Sequence, residues 1–153
     1  MLAKLLEPKP DLAALILRVG LAAVFIVHGN LKVSVDFLVQ REISLDTQRL
    51  VGWTELACGV LLLVGLLGRL AALAVIVMQS YAIALVSGKH ALDLVRTTLK
   101  EHVLGVGPEY NLVLICMCLG VIVLGSGRWS IDHLLAQRWR RPAPAPATGA
   151  PVA

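Results

Sequence analysis

Apolar residues along this chain do not alternate with polar ones. They collect in four long runs, at residues 12–33, 50–67, 70–86 and 111–124. Each run approaches the roughly 17–25 residues that a helix needs to cross a bilayer core, the last when Tyr110 and Gly125-Ser126 are counted in. Backbone amides and carbonyls in hydrocarbon must be paired within the segment, which a helix does and an isolated strand does not. Runs without two-residue alternation also argue against a membrane barrel. The pattern predicts an all-α membrane protein: a four-helix transmembrane bundle with short interfacial helices.

The connections between runs refine this plan. Residues 1–10 form a short basic lead, 11–136 the bundle, and 137–153 a basic and then Pro/Ala-rich tail. Asp11 after Pro10 suits a helix N-cap. Residues 34–49, with Asp36, Arg41, Glu42, Asp46 and Arg49, read as a polar loop. Gly65-Leu66-Leu67-Gly68-Arg69 is so short that the second and third helices must be antiparallel neighbours. Between them and the last run, residues 90–103 place Leu92, Val95, Leu99 and Val103 on one side, which predicts a helix lying on the membrane surface. After Gly125-Ser126-Gly127, Ser130 can cap a short helix with Ile131, Leu134 and Leu135 on one side. Trp129 and Trp139 flank it as interfacial anchors.

Composition supports the same class. The chain is 58% hydrophobic and 16% charged, with aromatics at only 5%, so its apolar mass is aliphatic. Mean hydropathy is +0.80. The net charge of +4 does not point to nucleic acid, because the basic residues are scattered over helix ends and loops without a basic, aromatic-interleaved face. Anionic lipid headgroups are the natural partner for them. The first run is read as a retained helix, since Arg18 interrupts it and no cleavage pattern follows. Four spans put both termini on one side. That side receives Lys4, Lys9, Arg18, Arg69, Arg128, Arg138, Arg140 and Arg141, and the other receives the remaining basic residues. The excess places both termini in the cytoplasm of a bacterial inner membrane, in a multi-pass arrangement.

Depth locates the candidate chemistry. His28 and Lys32 fall near the outer end of the first helix. Glu55 falls about five residues into the second, roughly 8 Å below its end. Glu109 and Asn111 open the last helix. All five share one outer layer, and His28 and Lys32, four apart, share a helix face. Ionisable groups in a span are costly and find partners, so Glu55 is expected to meet Lys32 or His28. The cluster reads either as a polar pocket holding a quinone head group, an anion or a proton path, or as a polar clasp between helices. Arg18, about 15 Å further in, is expected to snorkel to inner phosphates. Arg69 is a further anchor on that side. Gln79 is expected to hydrogen-bond between helices. Cys58, Cys116 and Cys118 include no Cys-x-x-Cys, which argues against a dithiol oxidoreductase. His28, His90, His102 and His133 are too dispersed to make a metal site the expectation.

The order Leu17-Arg18-Val19-Gly20, His28-Gly29-x-x-Lys32, Glu55-x-x-x-Gly59, Gly65-Leu66-Leu67-Gly68-Arg69 and Gly125-Ser126-Gly127-Arg128-Trp129-Ser130-Ile131-Asp132 resembles the DoxX family of small bacterial membrane proteins. The resemblance covers residues 12–135 and makes 11–136 a DoxX-like domain. It implies a four-helix membrane bundle, with His28, Lys32, Glu55 and Arg69 as the family-pattern polar residues. Relatives include a subunit of a thiosulfate:quinone oxidoreductase and a member of an oxidoreductase complex linked to oxidative stress.

Three functions are compatible with these readings. The first is a membrane subunit of a quinone-linked redox assembly whose outer polar layer contacts quinone or relays protons. It has no self-contained catalytic motif and no covalently bound cofactor is expected, so electrons would come from another subunit. The second is a non-catalytic accessory subunit of a larger membrane complex. The third is a small-solute carrier, for which four short uninterrupted helices leave little room.

Overall fold

The computed structural model describes residues 7–34, 44–84 and 108–139. The surface helix expected at 90–103, with His90 and His102, the 35–43 part of the polar loop and the Pro/Ala tail lie outside the described residues. Five helices make up the described chain: α1 (Pro10–Ser34), α2 (Leu45–Val64), α3 (Gly68–Ala82), α4 (Pro108–Leu124) and α5 (Ile131–Trp139). The first four pack as a ring in which α1 touches α2 and α4, and α3 touches the same two. Among the described residues α1, at 25 residues, is the one helix long and apolar enough to cross a membrane, while α3 and α4 are shorter apolar helices.

Two helix starts differ from the sequence reading. Asp11 does not cap α1. The helix begins at Pro10, whose fixed φ and missing N–H suit a first turn, and the Asp11 carboxylate accepts from the Arg128 backbone N–H at 3.0 Å. α2 begins five residues before the apolar run. Ser44 caps it, its hydroxyl accepting from Thr47 N–H at 3.3 Å. Charged residues such as Asp46 and Arg49 look like loop in a hydropathy pattern, yet a helix can run on past hydrocarbon into water. The earlier start puts Glu55 ten residues into α2, roughly 15 Å from its end, and not 8 Å.

The α1–α2 contact is a seam of close backbone approach. A Cβ on Gly29 would lie 2.7 Å from both the Gly52 carbonyl oxygen and the Leu56 nitrogen. One on Gly52 would lie 2.9 Å from the Lys32 Cβ, and one on Gly59 2.9 Å from Ile26. The pairings 29–52, 26–59 and 18–65 run in opposite senses, so the helices are antiparallel. Gly52 and Gly59, seven residues apart, stay on one face of α2. The core of the ring is aliphatic: Leu21, Ala22, Phe25, Cys58, Leu62, Ala72, Val75, Leu114, Cys118 and Val121 are buried together. The outer faces are apolar too, with Ile16, Val27, Leu50, Val60, Leu70, Val77, Val113 and Val123 all exposed. A contiguous apolar exterior of that kind belongs in lipid, not water.

Between α2 and α3 the chain reverses in three residues. Gly65 takes the left-handed conformation (φ 70°), and its N–H and that of Leu66 both return to the Leu61 carbonyl. Leu67 is also left-handed (φ 51°), which costs a non-glycine residue about 1–2 kcal/mol. The reversal holds because a side chain from elsewhere grips it, as described below.

The seam yields a contrast that thermal unfolding in detergent can read. Gly29→Ala forces backbone apart and should destabilise the bundle by about 2 kcal/mol or more. Gly20→Ala meets only the flexible end of Met117 at 3.4 Å and should be neutral within about 0.5 kcal/mol.

Candidate functional site

Two polar clusters close the bundle at opposite ends, with the aliphatic core between them. At one end, Lys32 on α1 and Glu55 on α2 form an ion pair across the glycine seam, Nζ to Oε1 at 2.5 Å. Side chains lean toward the N-terminus of their own helix. In antiparallel neighbours those directions oppose, so Lys32 leans inward from the end of α1 and Glu55 leans outward from the middle of α2. Glu55 is 5% exposed, and its second oxygen, Oε2, is buried with no hydrogen-bond partner. Gln48, one turn before Gly52, is buried as well. Its amide donates to the Lys32 carbonyl at 3.0 Å and ties the end of α1 to α2.

His28 does not join that pair. Its ring turns toward α4, where it lies 6.1 Å from the Tyr110 ring, tilted by 31°. Its Nδ1 is 2.9 Å from the Val24 carbonyl oxygen. A carbonyl only accepts, so Nδ1 carries the hydrogen and donates it, which leaves Nε2 as the ring nitrogen outside this contact. The sequence groups Glu109 and Asn111 with Glu55 as pocket candidates. Glu109 is exposed and Asn111 half-buried, and the residue of this turn that packs against the core is Tyr110 between them. The reason is helical phase. Leu114, Cys118 and Val121 face the core, Tyr110 stands one turn before Leu114 on that face, and its two neighbours are rotated away by about 100° each. The Tyr110 hydroxyl and the Cys58 thiol both lie within electrostatic reach of Glu55. The three cysteines are unpaired, with Cys58 and Cys118 in the core and Cys116 exposed on α4.

The other end is built around Arg18. The sequence reading sent it to lipid phosphates, and the structure corrects this: Arg18 is 1% exposed. Its Nη1 donates to the Ser126 carbonyl at 2.6 Å and its Nη2 to the Trp129 carbonyl at 2.9 Å. The 125–130 loop folds back over α1 and offers acceptors closer than any headgroup. Gly65 makes room, since a Cβ there would lie 2.0 Å from Arg18 Nη1. Ser130 caps α5, accepting from His133 N–H at 3.2 Å, as its position predicts. Asp132, which sequence reasoning left without a role, is the grip on the α2–α3 reversal. It accepts from Leu67 N–H at 2.8 Å, Gly68 N–H at 3.0 Å and the Ser126 hydroxyl at 2.6 Å. Its own N–H returns to the Gly65 carbonyl at 3.0 Å. The signal for it was available: an acidic residue two places after a capping serine, in a chain whose α3 has no capping side chain of its own. Arg69, Trp129 and Trp139 are exposed at this end, along with the apolar face of α5 formed by Ile131, Leu134 and Leu135.

Burial alone would push the Asp132 carboxyl up. The hydrogen bonds from Ser126, Gly68 and Leu67 and the nearby Arg18 charge outweigh it and hold the carboxyl below its ordinary value of 3.8. A carboxyl depressed by folding contributes stability above its unfolded value and loses it as pH falls through the folded one. Unfolding measured against pH should therefore steepen below about 3.8. Asp132→Asn should be destabilised at neutral pH and lose part of that acid dependence.

Removing one member of the Lys32–Glu55 pair leaves a charge stranded, at about 3 kcal/mol or more. Lys32→Met should therefore unfold earlier than the parent. Lys32→Met with Glu55→Gln should recover most of the loss, because no charge is left behind. A double variant no more stable than Lys32→Met would show that the pair is not coupled.

The DoxX family model matches residues 13–88, which include Arg18, His28, Lys32, Glu55 and the 65–69 reversal. No curated protein and no solved structure matches the chain.

Proposed function

Because the chain belongs to the DoxX family of small helical membrane proteins, we propose that it is a membrane subunit of a quinone-linked redox assembly, with Glu55 at its working site. The observation that carries this reading is the Glu55 carboxylate: buried, charge-paired through one oxygen, and without a partner at the other. An ionisable group inside a membrane segment marks a ligand or proton site by default. His28, whose ring lies beside Tyr110, offers Nε2 as a second acceptor at the same end of the bundle. Two acceptors in a low-dielectric setting suit a ligand that presents hydroxyl hydrogens, as the reduced head group of a quinone does. A bound quinone would supply two-electron, two-proton chemistry. The chain's part is to accept a hydrogen bond at Glu55 Oε2, hold the carboxylate in place through Lys32, and let His28 take up a proton. Electrons would come from another membrane subunit, since no redox-active motif stands in this sequence.

We place the four packed helices across the bacterial cytoplasmic membrane, with both termini in the cytoplasm. The apolar exterior of the ring supports the first part and the excess of Lys and Arg at the Arg18 end supports the second. A second reading has its own observation. The ion pair sits directly on the Gly29–Gly52 seam, where a clasp between helices would sit, and a non-catalytic accessory subunit needs nothing more.

Thermal unfolding of the purified chain with decylubiquinol separates the two. The redox reading predicts a raised midpoint in the parent and none in Glu55→Gln, with the bundle assembled in both. An unchanged midpoint in the parent leaves the clasp.

A further inference from the structure

The Arg18 end carries a second feature that the redox reading does not use. A cavity of about 500 Å³ opens between the start of α3 and the 125–130 loop. Each side brings a cation: Arg69 on α3, and Arg128 in the loop. The lining also holds Leu67, Leu70 and Leu124, all exposed. Gly125 (φ 77°) lets the loop lie against the Arg69 guanidinium, since a Cβ there would be 3.3 Å from Nη2. The acidic residues of the lining are already engaged. Asp132 accepts three hydrogen bonds from Leu67, Gly68 and Ser126, and Asp11 accepts from the Arg128 N–H. Neither arginine side chain is ion-paired among the described residues.

Two free guanidiniums facing a cavity whose carboxylates are occupied select an anion, and arginine's planar fork matches phosphate oxygens. The leucines select what the anion is attached to. Leu67, Leu70 and Leu124 give a free phosphate nothing to bury, but they give an acyl chain exposed apolar surface. The exposed Trp129 beside the cavity belongs at headgroup depth. We infer that this cavity is a binding site for one anionic phospholipid, its phosphate between Arg69 and Arg128 and its chains along Leu67, Leu70 and Leu124. The site joins the α2–α3 reversal to the last loop, so an occupied site ties together the parts that Asp132 and Arg18 already hold.

Native mass spectrometry of the full chain, offered equal amounts of phosphatidylglycerol and phosphatidylcholine, tests the assignment. Phosphatidylglycerol should be retained in preference. Arg69→Gln with Arg128→Gln should weaken that retention by roughly fivefold for each arginine removed. Equal retention of the two lipids, or undiminished preference in the double variant, would overturn the site. Inorganic phosphate that displaces the lipid at matched concentration would overturn the lipid as its source. A photoactivatable phosphatidylglycerol on the unaltered protein decides the matter should the double variant not fold. Adducts at residues 67–70 and 124–128 are expected, and adducts only elsewhere would refute the assignment.

Discussion

Everything in this bundle is arranged around an ion pair set into a seam with no room for side chains. Gly29, Gly52 and Gly59 bring the α1 and α2 backbones to a distance that a single methyl group would disrupt. That closeness lets Lys32 and Glu55, leaning in opposite directions from antiparallel helices, meet at 2.5 Å. Dispersion along the seam is non-directional and would tolerate a slide of one helix past the other. A charged pair flanked by the Gln48–Lys32 hydrogen bond does not tolerate it, so the pair defines the register on which Phe25, Leu62 and the rest of the core depend.

The opposite end solves a different problem. There the chain must reverse between α2 and α3 through two left-handed positions, Gly65 and Leu67, one of them a leucine. Arg18 and Asp132 do this from outside the turn. Arg18 reaches through the gap left by Gly65 to draw the last loop over α1, and Asp132 takes up the N–H groups at the start of α3. The bundle thus has one end closed by a charge pair across helices and one closed by backbone groups gathered around two charged side chains. The aliphatic layer between them needs only volume and shape.

Much of this was visible in the residue pattern. Run length and the 65–69 turn predicted the packed helices and the antiparallel α2–α3 pair. The cost of buried charge predicted that Glu55 would find a cation. What the pattern could not resolve was rotation and reach. Hydropathy places His28, Lys32, Glu109, Tyr110 and Asn111 at one depth but says nothing of which face each occupies, so Glu109 and Asn111 were grouped with Glu55 while Tyr110 was overlooked. Arg18 reads as a ligand of inner phosphates because its true partners are carbonyls. Every residue has one, so composition cannot reveal which loop will fold back to supply them. Gln48 was hidden in a segment whose charges resemble loop, though Ser44 marked the true start of the helix.

The proposed redox role rests on Glu55, a buried carboxylate with one oxygen paired and the other without a hydrogen-bond partner. That role, and the register of the bundle, both depend on Lys32 and Glu55 being in contact inside the seam. Solid-state NMR on the full chain in bilayers, with Lys labelled at 15Nζ and Glu at 13Cδ, reads that contact directly. A strong dipolar cross-peak between Lys32 and Glu55, lost in Glu55→Gln, is the predicted result. The absence of that cross-peak in a folded bundle would contradict the account.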